Sequence, residues 1–442
     1  MPLAGYPVNW TRLIFCEPAG SGTTQNIYLG AMSSQLIVNG KLAGVHAPGA
    51  PLRGRALAGL PCIEDGWLLI EDEHIAALGA MKDLPAHLAN HPAIDAAGCW
   101  VLPAWCDSHT HLVYAGSRET EFVDKIRGLS YAAINARGGG ILNSARVLRE
   151  TSEDVLFDQA WKRLQELSRL GTASIEIKSG YGLTVDSELK MLRVIKRLKQ
   201  RSRLSIKASF LGAHSYPPEY RDDHQGYIGL IINEMLPVIA REKLADYIDV
   251  FCENGFFDPA ETEAICRAGM RYGLRPKIHA NQLNLSGGVQ VGVKLGALSV
   301  DHLEMMDDEA ISILSSSDTI GTLLPTAAFF LRMPFQPARR MIDAGCAIAL
   351  ASDLNPGSSP SGNMNLVVAM SCIQMRMLPE EAINAATING AYAMELGAVT
   401  GSLSPGKRAD LILTRPIPSL AYLPYAFGSN LVDRVIVGGE FV

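Results

Sequence analysis

Residues 107–111 read Asp-Ser-His-Thr-His and set two imidazoles, His109 and His111, two positions apart. Alternate side chains of a strand share a face, so a strand ending here aims both rings at one point. That arrangement grips one divalent metal from two sides. A lone His-x-His is weak, because two exposed loop histidines show the same spacing. Three further residues strengthen it: His279, His302 and Asp353 each close an apolar, strand-like run. His109, His111, His279 and Asp353 make a donor set for one zinc or iron ion, with room for water. Such an ion lowers the pKa of its water towards neutrality, giving hydroxide that attacks a carbonyl or amidine carbon. Asp353 can touch the metal and accept the water's proton. His302 fits as a fifth ligand, or as a general acid or hydrogen-bond donor polarising the carbonyl; the second role is favoured. A satisfied core histidine before Leu303 is the plain structural alternative.

These residues need elements that converge. Strand-like runs occur at 101–106, 173–178, 205–213, 248–252, 277–280, 298–301, 319–324 and 347–352. Amphipathic stretches separate most of them. One is 152–170, with Ser152 as N-cap, acids Glu153 and Asp154 in its first turn and Gly171 just past its end; another is 186–200. Eight strands with intervening helices predict an α/β fold, a (β/α)8 barrel of the TIM type. A doubly wound open sheet is the alternative, and no Gly-rich dinucleotide loop supports it. Side chains that do chemistry sit where barrel strands end. Those ends carry His109 and His111, Tyr181, His214, Glu253, His279 and Gln282, His302, and Asp353, so five of the ten histidines gather at one rim.

Both ends of the chain are β-rich. Residues 66–79 read as strand, acidic turn, strand, and 409–413 and 432–441 have the same character. The economical organisation is a small β-sandwich domain from 32–102 and 402–442, with the barrel, 103–401, inserted between. Residues 1–31 show no clear periodicity and are expected to be a disordered extension or to precede a natural start at Met32.

The 442 residues, 48% hydrophobic, suffice for a barrel of ~250 residues plus a smaller domain. Lys plus Arg total 39 against 45 for Asp plus Glu, and no basic block occurs, so nucleic acid and acidic membrane surfaces are not expected partners. The eight cysteines are scattered without a Cys-x-x-Cys and read as free thiols in a reducing compartment. No secretory pattern opens the chain, and its apolar stretches are too short to span a bilayer. A cytoplasmic location is expected.

The constellation resembles the amidohydrolase superfamily, and within it the imidazolonepropionase family, from about Pro61 onward. The matching segments are Asp107-Ser-His-Thr-His-Leu-Val-Tyr-Ala-Gly-Ser-Arg118, Gly138-Gly-Gly-Ile141, Glu176-Ile-Lys-Ser-Gly-Tyr-Gly-Leu183, Phe210-Leu-Gly-Ala-His214, Asp249-Val-Phe-Cys-Glu253, Asp301-His-Leu-Glu304 and Ala351-Ser-Asp-Leu-Asn-Pro-Gly-Ser358. The His-x-His and Asp353 would fit many relatives; Lys-Ser-Gly-Tyr-Gly and Ser-Asp-Leu-Asn-Pro-Gly-Ser are far more particular. The resemblance implies hydrolytic opening of 4-imidazolone-5-propanoate, a small anionic substrate, to N-formimidoyl-L-glutamate in histidine degradation. It implies that Arg118 pairs with the substrate carboxylate. An ordinary salt bridge with Glu119 or Glu121 is the plain alternative. Tyr181 and His214 would meet the ring or propanoate arm, and Asn355, Gly357 and Ser358 the glutamate-like end.

Two positions bear on mechanism. Relatives that deaminate nucleobases carry a glutamate three residues after the strand-5 histidine, where this chain has Gln282. An amide cannot shuttle protons as a carboxylate does, so the alternative of an aminohydrolase acting on a heterocycle is disfavoured. Gln282 is expected to hydrogen-bond the ring, leaving proton transfer to Asp353 and His302. Lys178 raises the possibility of a carbamylated lysine bridging two metals. The expectation is one ion per subunit and an unmodified Lys178, paired near Glu176 or with a loop carboxylate. A catalytically dead scaffold ranks last, since every expected ligand is present. A homodimer is the default assembly.

Overall fold

A computed structural model describes residues 34–47, 49–129 and 139–442. The expected extension at 1–31 and Gly138 of the matching glycine run lie outside the described residues. The chain opens with short strands, β1 (Ser34–Ala43), β2 (Cys62–Glu71), β3 (His74–Ala80), β4 (Ala93–Asp95) and β5 (Trp100–Pro103). Eight mutually parallel strands follow: β6 (Trp105–Thr110), β7 (Thr172–Lys178), β8 (Ser205–Ala213), β9 (Tyr247–Cys252), β10 (Arg275–Ala280), β11 (Ser299–His302), β12 (Ile320–Leu323) and β13 (Ile348–Leu350). β14 (Leu411–Thr414), β15 (Val432–Val437) and β16 (Glu440–Phe441) end the chain.

Each parallel strand pairs with the next from β6 to β13. A bridge between Thr110 and Leu354 closes the ring, flanked by bonds from His111 N to Leu354 O (2.8 Å) and Asp353 N to His109 O (3.0 Å). This is the (β/α)8 barrel that the alternation predicts. The helix Glu153–Arg169 begins as expected, with the Ser152 hydroxyl accepting from Val155 N at 3.3 Å.

One boundary differs. The run 101–106 is two strands, not one: β5 belongs to the outer sheet and β6 to the barrel. Pro103 has no N–H to extend a ladder, and Ala104 N turns to Asp410 O while Trp105 N bonds Gly171 O, both at 2.9 Å. His109 therefore lies inside the first barrel strand rather than past its end.

The outer sheet runs β16-β15-β14-β5-β1-β2-β3, with β4 beside β1. It curls on itself, so that Ile37, Leu68 and Ile70 share one cluster with Val101, Leu411, Leu413 and Ile436. Its other face near the C-terminus, through Leu102, Ile412, Val435 and Val437, joins the barrel's core around Trp105 and Leu164. No described helix is long and apolar enough to cross a membrane. The seven described cysteines are unpaired, as expected.

Candidate metal centre and substrate cavity

Alternation along β6 buries Asp107, His109 and, one step past the strand, His111. His279 comes from β10, and Asp353 follows β13. His109 Nε2 and His111 Nε2 lie 3.5 and 3.6 Å from Asp353 Oδ1, and His279 Nε2 lies 3.5 Å from His111 Nε2. These separations are too long for good hydrogen bonds. Donors ~2.0–2.1 Å from a tetrahedral ion stand about 3.4 Å apart, so the spacing suits ligands of one shared ion. His109 Nε2 is buried and has no hydrogen-bond partner among the described residues. Burial holds the His109 and His111 imidazoles well below their ordinary pKa and lowers His279 too, leaving each neutral, the form that donates to a metal. The Asp353 carboxyl is pushed up to about 7, chiefly by burial. The donor set and its spacing fit a divalent ion.

His302 closes β11, and a nitrogen of its ring also falls in ligand range of His109 and His279. Its Nδ1 stands 3.5 Å from Glu304 Oε1. Burial works to lower this imidazole, but Glu304, Asp353 and Asp301 outweigh it and raise the pKa. His302 (φ +87°) and Asp353 (φ +52°) both occupy left-handed backbone, which costs energy for residues with a Cβ. Bonds to neighbouring strands, Leu303 N to Ala280 O and Asp353 N to His109 O, hold them there.

Charged side chains in the barrel interior stand behind the ligands. His109 Nδ1 donates to Asp301 Oδ2 at 2.7 Å, and His279 Nδ1 to Asp249 Oδ1 at 3.0 Å. Each bond fixes a ring and aims its Nε2 at the centre. Lys178 joins the two carboxylates, with Nζ 2.7 Å from Asp249 Oδ2, 3.5 Å from Asp301 Oδ2 and 2.5 Å from Glu176 Oε1. Lys277 also bonds Glu176. Burial acts against the Lys178 ammonium, but Asp249, Glu176 and Asp301 outweigh it and raise its pKa. Carbamylation needs a neutral amine, so Lys178 reads as unmodified. Its expected pairing with Glu176 is present, while its other partners sit on strands rather than in a loop. The sequence reading assigned no role to Asp249, Asp301 or Lys277. Their signal was available: charged residues at alternate positions of otherwise apolar barrel strands.

A cavity of about 410 Å³ opens at this rim, beside an inner chamber of about 50 Å³ that reaches His111, His279, His302 and Asp353. Arg118, Tyr181, His214, Gln282, Asn355, Gly357 and Ser358 all line the larger space. His214 Nδ1 donates to Gly180 O at 3.0 Å, and the ring stacks on His111, with centroids 5.2 Å apart. Burial lowers its imidazole to about 3. The Gln282 amide has no partner among the described residues. The loop carrying it is clasped by Glu253, which accepts from Leu283 N at 2.8 Å and Asn284 Nδ2 at 3.1 Å.

Arg118 makes the salt bridge of its plain alternative and also faces the cavity. Its Nε and Nη2 donate to Glu121 Oε2 at 2.9 and 2.6 Å, and it also lines the cavity. Gly357 lets Arg118 sit this close: a Cβ there would fall 2.1 Å from Arg118 Nη1 and push the guanidinium aside. The other end of the cavity is braced by its own hydrogen bonds. The N–H groups of Gly357 and Ser358 donate to Asn355 Oδ1, both at 2.8 Å, and Asn355 Nδ2 donates to Ser358 Oγ at 2.7 Å. The segment satisfies itself as an Asx-type turn against the cavity wall.

Residues 241–442 match the profile of the amidohydrolase family. An imidazolonepropionase of Flavobacterium johnsoniae is 57% identical over 389 residues, covering 88% of this chain and 94% of the relative. Another, of Geobacillus kaustophilus, is 42% identical over 405 residues, covering 91% and 95%. The chain belongs to the imidazolonepropionase family. Among solved structures, Escherichia coli guanine deaminase matches with a TM-score of 0.70 at 14% identity, covering 93% of this chain and 99% of that one. The 5-methylcytosine deaminase of Klebsiella pneumoniae matches at 0.71 and 17%, covering 92% and 98%. At such identities the deaminases share the fold alone, whereas the imidazolonepropionases share sequence along most of the chain.

Proposed function

We propose that this chain opens the ring of 4-imidazolone-5-propanoate to N-formimidoyl-L-glutamate in histidine degradation, using one ion, zinc or iron, held by His109, His111, His279 and Asp353. The observation that carries the site assignment is the set of near-3.5 Å separations around the buried, unpartnered Nε2 of His109. A divalent ion in that set supplies Lewis acidity and lowers the pKa of a water, making hydroxide available near neutral pH.

The reaction adds water to the ring carbonyl carbon and breaks its bond to the ring nitrogen, which takes up a proton. Asp353 accepts the proton from the attacking water and returns it to the departing nitrogen. Its Oδ1 faces His109 and His111, while Oδ2 stands 3.4 Å from Ser358 Oγ on the cavity side. His302 hydrogen-bonds the carbonyl oxygen as charge develops there. Gln282 hydrogen-bonds the ring, Tyr181 and His214 bracket the ring and arm, and Arg118 orients the propanoate. Asn355, Gly357 and Ser358 shape the wall around the glutamate-like end.

Asp353→Asn tests the central role. The expected variant is folded, keeps its metal and forms no N-formimidoyl-glutamate by mass spectrometry; full activity would remove Asp353 from the mechanism. We read the enzyme as a cytoplasmic homodimer, which sedimentation of the purified protein checks.

A further inference from the structure

The helix Glu119–Ile126 has Arg118 at its N-cap, Glu121 in its first turn and Lys125 in its last. Spacings of three and four residues put these side chains on one helix face. That face borders the larger cavity, which Arg118 and Lys125 both line. Glu121 is occupied: Oε2 takes both donors of Arg118, and Oε1 accepts from Gly140 N at 3.0 Å. Lys125 has no carboxylate within ion-pairing distance among the described residues, and its Nζ lies 5.9 Å from the Phe330 ring centroid. Among the described residues, two cations and one anion of this face leave one positive charge in excess. The substrate arm carries one negative charge.

We propose that Lys125 is a second contact for the substrate carboxylate. Arg118, already neutralised by Glu121, supplies orientation, and Lys125 supplies the unmatched charge. Burial, and then the neighbouring Arg118, lower the ammonium's pKa against the pull of Glu121, and an arriving carboxylate would favour its charged form. The proposal rests on the reading that the Arg118 end of the cavity receives the carboxylate.

The test uses metal-loaded enzyme and four proteins: wild type, Lys125→Met, Lys125→Arg and Arg118→Met. KM and kcat are measured with 4-imidazolone-5-propanoate at low and high salt. Imidazole-4-propanoate and its neutral amide serve as competitive inhibitors. Lys125→Met is expected to raise KM about 10-fold or more while kcat stays within about twofold. It should erase the preference for the acid inhibitor over the amide and flatten the salt dependence of KM, and Lys125→Arg should restore both. Lys125→Gln gives the same readout if the methionine variant is unstable. If Lys125→Met keeps the acid preference while Arg118→Met loses it, the proposal for Lys125 is overturned and the Arg118 reading stands. If both keep it, the carboxylate binds elsewhere and both fail.

Discussion

Asp301 and Asp249 stand behind His109 and His279 at 2.7 and 3.0 Å, and Lys178 bridges the two carboxylates. Neither aspartate belongs to the four-residue donor set, yet each selects the tautomer that leaves Nε2 free to bind. Asp301→Asn keeps the shape and removes the charge that polarises His109. Its metal affinity should fall about 10–100-fold, the usual cost of losing such a partner. Competition with a chromophoric chelator measures this, with circular dichroism confirming an intact fold; unchanged affinity would make Asp301 a packing residue. At this scale the expected ligands could be picked from the sequence, because alternation along a strand is local. It was read poorly for their supports, because a buried charge has meaning only through its partner.

Among the elements, the seam between β13 and β6 carries the most consequence for the site. Ser352 donates from N and Oγ to Asp107 at 2.9 and 2.6 Å, and the next residue is Asp353. Burial drives the Asp107 carboxyl up to about 7 against the pull of these bonds. Ser352→Ala removes the hydroxyl donor and should cost about 1–3 kcal/mol, seen as a lower urea midpoint with an unchanged m-value. A midpoint equal to the wild type would show that water replaces the hydroxyl. Seven barrel strands were visible as apolar runs, the first only through Trp105 and Cys106 at its start, and the Ser152 cap marked its helix correctly. The break between β5 and β6 was not visible, because both halves are apolar. What divides them is pairing: Leu102 lies opposite Ile412, more than three hundred residues away, whereas Trp105 lies opposite Thr172.

At the scale of the molecule, outer sheet and barrel share a core. Ile412 and Leu102 pack with Trp105 and Leu164 in one cluster, and a Cβ on Gly171 (φ +104°) would fall 2.6 Å from Ile412 Cδ1. Such close packing predicts that the two parts unfold together. Ile412→Ala should destabilise by about 2–5 kcal/mol and lower a single transition reported alike by tryptophan fluorescence and circular dichroism. Two separated transitions would mean that the barrel stands without the sheet.

By itself, the sequence determined the chemistry on offer: a His-x-His, three further residues of ligand type, and an alternation that builds a barrel. These follow from residue type and spacing, which are local properties. Only the tertiary structure decided who serves whom. It set Asp301 against His109 across 192 residues, gave Lys178 to two strands beyond its own, and turned Asn355 onto its own segment. It also left Lys125, among the described residues, outside any ion pair while Arg118 and Glu121 hold each other. Ring closure of the barrel brings distant positions to hydrogen-bond distance, and the strength of a charge contact depends on that distance and on burial rather than on order along the chain.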